Sequence, residues 1–359
     1  MDAPFPFGFP GPTAFYLVTY VLTLVSHVVF MNYVLAGTGV LVVRQIRGKS
    51  GAGDALVELL RDWLPFALSA AITAGIAPLL FIQILYKKAF YTANLLLFHR
   101  WMLILPVLIV GFYLLYAQKT AFVKARPRLA ALVPMGALAC FLFTALSWTE
   151  NYLLARNAEA WAPMYASKAM IYQNREILPR MLLWTLGALP TLAALLGWQL
   201  HRHERAGRLA DGAPFRQVAR LGLVGLVVAG ACAAGYAWLV GPEARVHVVG
   251  PMARPWFLAA AIGAVVEAVG FVGLYRAEAG RAKWLGITSA GLLFVILGTT
   301  VVREVLRITA VDFVALYPEH ARAAEVSGRW LFLGFFLVNA ALATWAIRMA
   351  LTRATRPAA

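Results

Sequence analysis

The sequence predicts an all-α fold, a polytopic integral membrane helix bundle, and three observations predict it. Of 359 residues, 62% are hydrophobic and only 13% are charged, where a soluble domain carries about 25% charged residues. The apolar residues fall in runs of twenty or more, the length that takes a helix through a hydrocarbon core about 30 Å thick. Lys and Arg concentrate in alternate connecting segments, as they do when a chain crosses a bilayer repeatedly. The same arithmetic excludes a disordered chain, a collagen, a disulfide-stapled scaffold and a nucleic-acid-binding domain, although the formal net charge is +16.

About 20 apolar residues per crossing gives nine spans, near 14–43, 63–86, 93–117, 129–150, 180–200, 218–240, 256–275, 284–306 and 329–350. No Pro/Ser-rich linker, low-complexity tract or internal repeat divides them, so 1–359 reads as one transmembrane domain. The segment from Met1 to Pro12 has no Lys or Arg and no small-residue cleavage site, so the first run is expected to stay as a helix. Segments 44–61, 119–128, 202–220, 276–283 and 348–356 hold 19 of the 32 basic residues and, with Asp62, 6 of the 16 acidic ones. Basic loops resist translocation, which puts these segments and the C-terminus in the cytoplasm and the N-terminus outside; the basic excess would also attract anionic lipid. The outer segments 151–179 and 308–328 are the longest, and Trp161, Tyr165 and Tyr172 have the spacing of a helix lying in the interface. The inner segment 201–216 reads as a solvated connector. Cys140 and Cys232 fall inside apolar runs and read as small packing residues.

Ionisable side chains at membrane depth cost at least about 2.5 kcal/mol and so face the bundle interior or a wet cavity. His27 lies in the first span on the stripe Tyr16, Tyr20, Thr23, His27, Met31, one helix face. His99, followed by Arg100, enters the third span. At about 1.5 Å per residue, His27 lies roughly 10–18 Å and His99 roughly 9–13 Å below the outer surface. Imidazoles reaching into a bundle from facing helices are a usual way of holding a b-type haem, so His27 and His99 are candidate metal ligands. The alternative is that His27 bonds a carbonyl and His99 anchors at the interface beside Trp101. Glu267 stands near the midplane of the seventh span, either as a proton relay or as a carboxyl bonded between helices. Arg303 and Arg307 share a face at i, i+4, where like charges need an intervening partner: Glu150, at the outer end of the fourth span, or an anion from outside. Snorkelling at a helix end is the other reading. On this topology His99, Arg100, Glu150, Arg303, Glu304 and Arg307 converge near the outer surface, with Gln83, Lys87 and Lys88 at the same level. Gly37, Gly39, Gly75, Pro78 and Pro106 lie within spans, where they admit close helix approach or a cavity.

The stretch from Phe15 to Val43, within AFYLVTYVLTLVSHVVFMNYVLAGTGVLVVRQ, together with TAGIAPLLFIQILY at 73–86, resembles the opening of cytochrome bd oxidase subunit I, over about a fifth of the chain. That resemblance implies a start outside the membrane, His27 as a haem ligand, and Gln83 near the family's second-helix motif. The third span lacks the family's glutamates, the fifth span has no histidine, and no long quinol-binding loop follows the sixth. A three-haem oxygen-reducing site is therefore not expected. A looser likeness is to quinone-binding membrane subunits of the polysulfide reductase type. Both imply a membrane subunit of a respiratory electron-transfer complex in the bacterial inner membrane. It would exchange electrons between a quinone and haem b or a periplasmic electron-transfer protein, alongside other membrane subunits. His27 and His99 would hold haem, Arg100, Arg303, Arg307, Gln83 and Glu150 would serve the quinone or the partner, and Glu267 would carry protons. A secondary transporter or a cofactor-free scaffold subunit is the rival reading; hydrolase and nucleotide-binding motifs are absent from the sequence.

Overall fold

The computed structural model describes residues 3–48, 54–209, 211–326, 328, 330–338, 341–342 and 345, and within them every regular element is helical. In chain order the α-helices are α1 (Gly11–Ile46), α2 (Ala55–Leu85), α3 (Lys87–Leu96), α4 (Phe98–Ala117), α5 (Ala121–Lys124), α6 (Pro127–Ala155) and α7 (Trp161–Ser167). They continue with α8 (Ile177–Leu186), α9 (Leu189–Arg205), α10 (Ala213–Leu239), α11 (Pro242–Val249), α12 (Arg254–Arg276), α13 (Arg281–Ile308) and α14 (Tyr317–Val326). Counting α8 and α9 as one crossing, eight helices among the described residues are long and apolar enough to span a membrane. Their outer faces expose large apolar side chains such as Leu105, Val227 and Ile262, as a lipid-facing surface requires. The chain is a multi-pass helical membrane protein.

The spans differ from the hydropathy reading at their ends. At about 1.5 Å per residue α1 is about 54 Å long, so it projects well beyond the hydrocarbon. The second span starts eight residues earlier than expected, because the Asp54 carboxylate accepts from the amides of Leu56 and Val57 and also pairs with Arg44. The third is interrupted at Leu97, which leaves Lys87–Leu96 as a separate amphipathic helix. In the fifth, Pro190 lacks the N–H that would continue the ladder, so α8 stops and α9 restarts two residues later. The ninth span, 329–350, lies in part outside the described residues; its portion 330–338 is helical and seats Phe332 edge-on against Phe81 of α2, 5.1 Å between ring centres.

Helix packing relies on polar bonds at a few levels and on absent side chains at others. Asn32 donates to Thr191 at 3.0 Å and Tyr33 to Gln199 at 3.0 Å, fastening α1 to α9. The antiparallel pair α12 and α13 forms the largest interhelical interface, and it closes on glycines. A Cβ on Gly291 would stand 2.5 Å from the Glu267 amide nitrogen, one on Gly263 2.7 Å from the Gly291 carbonyl oxygen, and one on Gly298 2.4 Å from the Trp256 carbonyl oxygen. Seven-residue spacing puts Gly263 and Gly270 on one face of α12, and Gly291 and Gly298 on one face of α13, so the backbones touch directly.

At the end where the N-terminus emerges, residues 3–10 and α14 cover the bundle. The Phe5 amide donates to the Met252 carbonyl at 3.1 Å, and the Trp256 indole donates to the Phe5 carbonyl at 2.8 Å. His320 of α14 is fully buried, with Nδ1 3.0 Å from the Thr13 hydroxyl of α1 and Nε2 3.1 Å from the Leu85 carbonyl of α2. Nε2–H therefore donates to the carbonyl and Nδ1 accepts from the hydroxyl, so the neutral ring fits. The opposite end is laced by ion pairs. Arg44 meets Asp54, Lys119 meets Asp62 at 3.3 Å, and Glu204 takes both Arg281 and His201, so part of the inner segment is helical and paired rather than a solvated connector.

Two measurements test this packing. Gly291→Leu is expected to destabilise by about 1–3 kcal/mol or abolish folding through overpacking, whereas Gly286→Ala, which meets open space inside α13, does not lower the thermal midpoint in detergent. Burial lowers the His320 pKa below its ordinary value of about 6.5. The unfolded chain thus binds the proton first, so stability is full above about pH 6.5 and falls with acidification. Proteolytic protection of 309–326 should drop from pH 7 to pH 5, and His320→Asn should flatten that dependence.

Candidate functional site

The N-terminal end of the bundle gathers the C-terminal turns of α2, α6, α10 and α13 with the first turns of α4 and α8. Helical spacing decides what each of three successive residues on α6 meets, because neighbours are turned by about 100°. Glu150 faces α4 and pairs with Arg100 at 3.2 Å; Asn151 faces α3 and donates to Asn94 at 2.5 Å; Tyr152 faces α13 and donates to the Arg303 carbonyl at 2.9 Å. All three are 1% exposed, so the last turn of α6 is a buried polar hub.

Four guanidinium groups surround the Tyr152 ring. The central carbons of Arg156, Arg180, Arg303 and Arg307 lie 5.3, 4.2, 4.7 and 4.4 Å from its centre. The ring's quadrupole attracts cations over its faces, and two carboxylates supply further compensation. Glu304 lies 3.7 Å from Arg307 and accepts from the Tyr86 hydroxyl at 2.5 Å. Glu176 lies 3.8 Å from Arg156 and accepts from the Tyr236 hydroxyl at 2.8 Å, which itself accepts from Arg180 at 2.6 Å. Arg307 also donates to the Tyr20 hydroxyl of α1 at 3.3 Å. Beside this cluster lies a small cleft lined by Ile82, Tyr86, Ala89, Phe90, Asn151, Arg307 and Val311.

The residues expected to converge do so only in part. Arg100, Glu150, Arg303, Glu304 and Arg307 are brought to one end, but Glu150 does not stand between Arg303 and Arg307. It lies two residues from Tyr152, roughly 200° around α6, so Tyr152 and Glu304 occupy the place expected for it. Gln83 is half-buried on another side of α2 and accepts from Tyr91 at 3.2 Å, apart from the cluster.

His27 and His99 are not paired. The His27 ring lies against the α2 backbone, where a Cβ on Gly75 would be 2.9 Å from Nδ1, and Nδ1 is 2.9 Å from the Ala71 carbonyl. His99 is exposed on the first turn of α4, with the Phe98 ring 5.7 Å away. A haem held between these two imidazoles does not fit this arrangement, because one faces the bundle and the other faces outward. No group of three or more His, Cys, Asp or Glu among the described residues is arranged to hold a metal ion. Glu267 is fully buried where Gly263 and Gly291 cross, and neither carboxyl oxygen has a hydrogen-bond partner among the described residues. At thirteen residues from the start of α12 it lies about 20 Å from the N-terminal end, outside the cluster.

Sequence reasoning missed Tyr86, Asn151, Tyr152, Arg156, Glu176, Arg180 and Tyr236 as members of the site. Arg156 stands in the outer segment 151–179, expected to carry an interfacial helix, and Arg180 at the first residue expected of the fifth span, yet α6 continues to Ala155 and α8 begins at Ile177. Tyr152 and Arg156 at i, i+4 were the available signal. The interfacial helix itself is shorter than expected. Trp161 and Tyr165 belong to α7, but Tyr172 lies beyond it, buried, where its hydroxyl accepts from Asn157 at 3.0 Å and Asn174 at 3.2 Å. Cys140 and Cys232 are free and half-buried, and Cys140 packs near Gly111 of α4.

Fold and site together define a multi-pass α-helical membrane protein with a buried, arginine-rich cluster at one end. Comparison with protein-family models, with curated proteins and with solved structures finds no match to this chain.

Removing one partner of a buried ion pair strands the other. Glu150→Gln or Arg100→Gln should each lower stability by about 2–3 kcal/mol, discounted for the partly exposed arginine. Arg100→Gln combined with Glu150→Gln should cost less than the sum of the two single changes, which a double-mutant thermal unfolding cycle measures.

Proposed function

We propose that this chain is a membrane subunit of a bacterial respiratory electron-transfer complex, in the inner membrane, that binds a quinol at the N-terminal, outward end. The observation that carries the reading is the cleft between α2, α3, α6 and α13. Its walls are apolar or aromatic at Ile82, Phe90 and Val311, and Tyr86, Asn151 and Arg307 bring polar groups into it. That combination suits the polar edge of a ring with two opposed oxygen atoms and an isoprenoid tail left in lipid, and because the cleft is only about 10 Å³ as it stands, the reading requires its walls to part on binding.

Arg307 and Asn151 orient the ring oxygens as donors. Glu304 takes up a quinol proton through Tyr86, which lines the cleft and whose hydroxyl already donates to a Glu304 oxygen: the quinol proton goes to the Tyr86 oxygen as the hydroxyl proton passes to Glu304. Oxidation of one quinol releases two electrons and two protons, of which one goes to Glu304 through Tyr86 and the other to water at the outward end. The electrons pass to a redox centre on a periplasmic electron-transfer partner seated over this end, since His27 and His99 lie too differently to hold haem b between them. Other membrane subunits complete the assembly. Glu267, about 20 Å along α12, takes no part in this step.

Quenching of the tryptophans near the cleft, Trp101 and Trp148, by short-chain menaquinone and ubiquinone analogues tests the reading in purified protein. Binding of one analogue is expected. Ala89→Phe, which fills the cleft from α3, should weaken it at least about tenfold, and Tyr86→Phe, which removes one hydrogen bond to a charged group, by roughly tenfold. Absence of quenching by both analogues, or unchanged affinity in Ala89→Phe, overturns it.

A further inference from the structure

The arginines around Tyr152 exceed what their neighbours compensate. Arg156, Arg180, Arg303 and Arg307 share two carboxylates, Glu176 and Glu304, and the Tyr152 hydroxyl is occupied as a donor to the Arg303 carbonyl. Two positive charges are left over. Arg180 is 3% and Arg307 4% exposed, and Nε of all four arginines, with Nη1 of Arg156, is buried and makes no hydrogen bond among the described residues. Unpaired guanidinium N–H groups in a low-dielectric enclosure are strongly unfavourable, and like charges held within one ring's reach repel. An arrangement with both faults persists where an anion supplies the missing acceptors and charge.

We propose that the Tyr152 cluster is a binding site for a phosphate-type oxyanion, adjoining the cleft proposed for the quinone and sharing Arg307 with it. A phosphate group matches the surplus of two charges, and its oxygens suit the fork geometry of guanidinium donors. Arg156 and Arg303 are only half-buried, so the cluster is nearest to solvent on their side. Trp184, 5.4 Å from Arg303, and Tyr236 close the apolar side. The cluster sits where α6 ends and α8 begins, at the level where lipid headgroups meet water. The phosphate can therefore belong to an anionic phospholipid or be free in solution.

The test uses the full-length protein, delipidated in neutral detergent and buffered in chloride, with three thermal-unfolding arms. Inorganic phosphate is titrated in the first, short-chain phosphatidylglycerol in the second and short-chain phosphatidylcholine in the third. A rise in Tm with either anionic ligand, and little with phosphatidylcholine, supports the site, and whichever arm responds at lower concentration identifies the source. Arg156→Gln and Arg303→Gln should each weaken that response at least about tenfold. Arg303→Gln, which strands no carboxylate at ion-pair distance among the described residues, should also raise Tm in the ligand-free protein by relieving repulsion, a change opposite in sign to the loss expected of a purely structural arginine. If neither anionic ligand raises Tm above the chloride baseline, or if the two variants respond as the wild type does, the site does not exist.

Discussion

Inside a bilayer, water is not available to repair an unpaired polar group, so every buried charge must be answered by another part of the protein. The last turn of α6 is organised by that constraint. Glu150, Asn151 and Tyr152 point to three different helices, and each finds its partner there: Arg100 on α4, Asn94 on α3, and the Arg303 carbonyl on α13. Because these bonds have no aqueous competitor, they fix the rotation of α6. They thereby set the position of the arginines that close around Tyr152. The cluster depends on the hub, and the adjoining cleft depends on both.

The opposite device operates in the middle of the membrane. Lipid is as apolar as any side chain, so burying Leu against Leu there gains little, and close backbone approach has to supply the attraction. The glycines of α12 and α13 allow it, and they press the Glu267 backbone against Gly291. The same logic places His27, whose ring fills the space that the missing side chain of Gly75 leaves on α2. A histidine deep in a span thus serves helix packing through one nitrogen and a backbone carbonyl. That geometry also explains why it does not meet His99, which belongs to the first turn of a helix facing lipid and headgroups.

Both ends of the bundle carry charge, but they use it differently. At the end away from the N-terminus, pairs such as Lys119 with Asp62 and Arg44 with Asp54 are partly solvated, and they staple neighbouring helices with one cation for one anion. At the N-terminal end the groups are buried or half-buried and unequal in number, four guanidiniums to two carboxylates around one aromatic ring. Surface pairs of the first kind contribute little to stability. Buried cations of the second kind are costly, and a protein that keeps them has a use for an anion.

Composition and the length of the apolar runs by themselves determined the all-helical membrane architecture and the approximate place of eight crossings, since hydrocarbon thickness fixes how many residues a span needs. They also determined that Arg100, Glu150, Arg303 and Arg307 fall near one end, because depth follows from position along a span. Rotation about the helix axis was decided only by the tertiary structure. One residue of offset turns a side chain by about 100°, so Glu150 and Tyr152 face opposite neighbours, and His99 faces away from the bundle that His27 faces. Where α6 and α8 extend past the hydrophobic run, hydropathy registers only polar residues. Folding turns those polar residues inward and makes them the centre of the site.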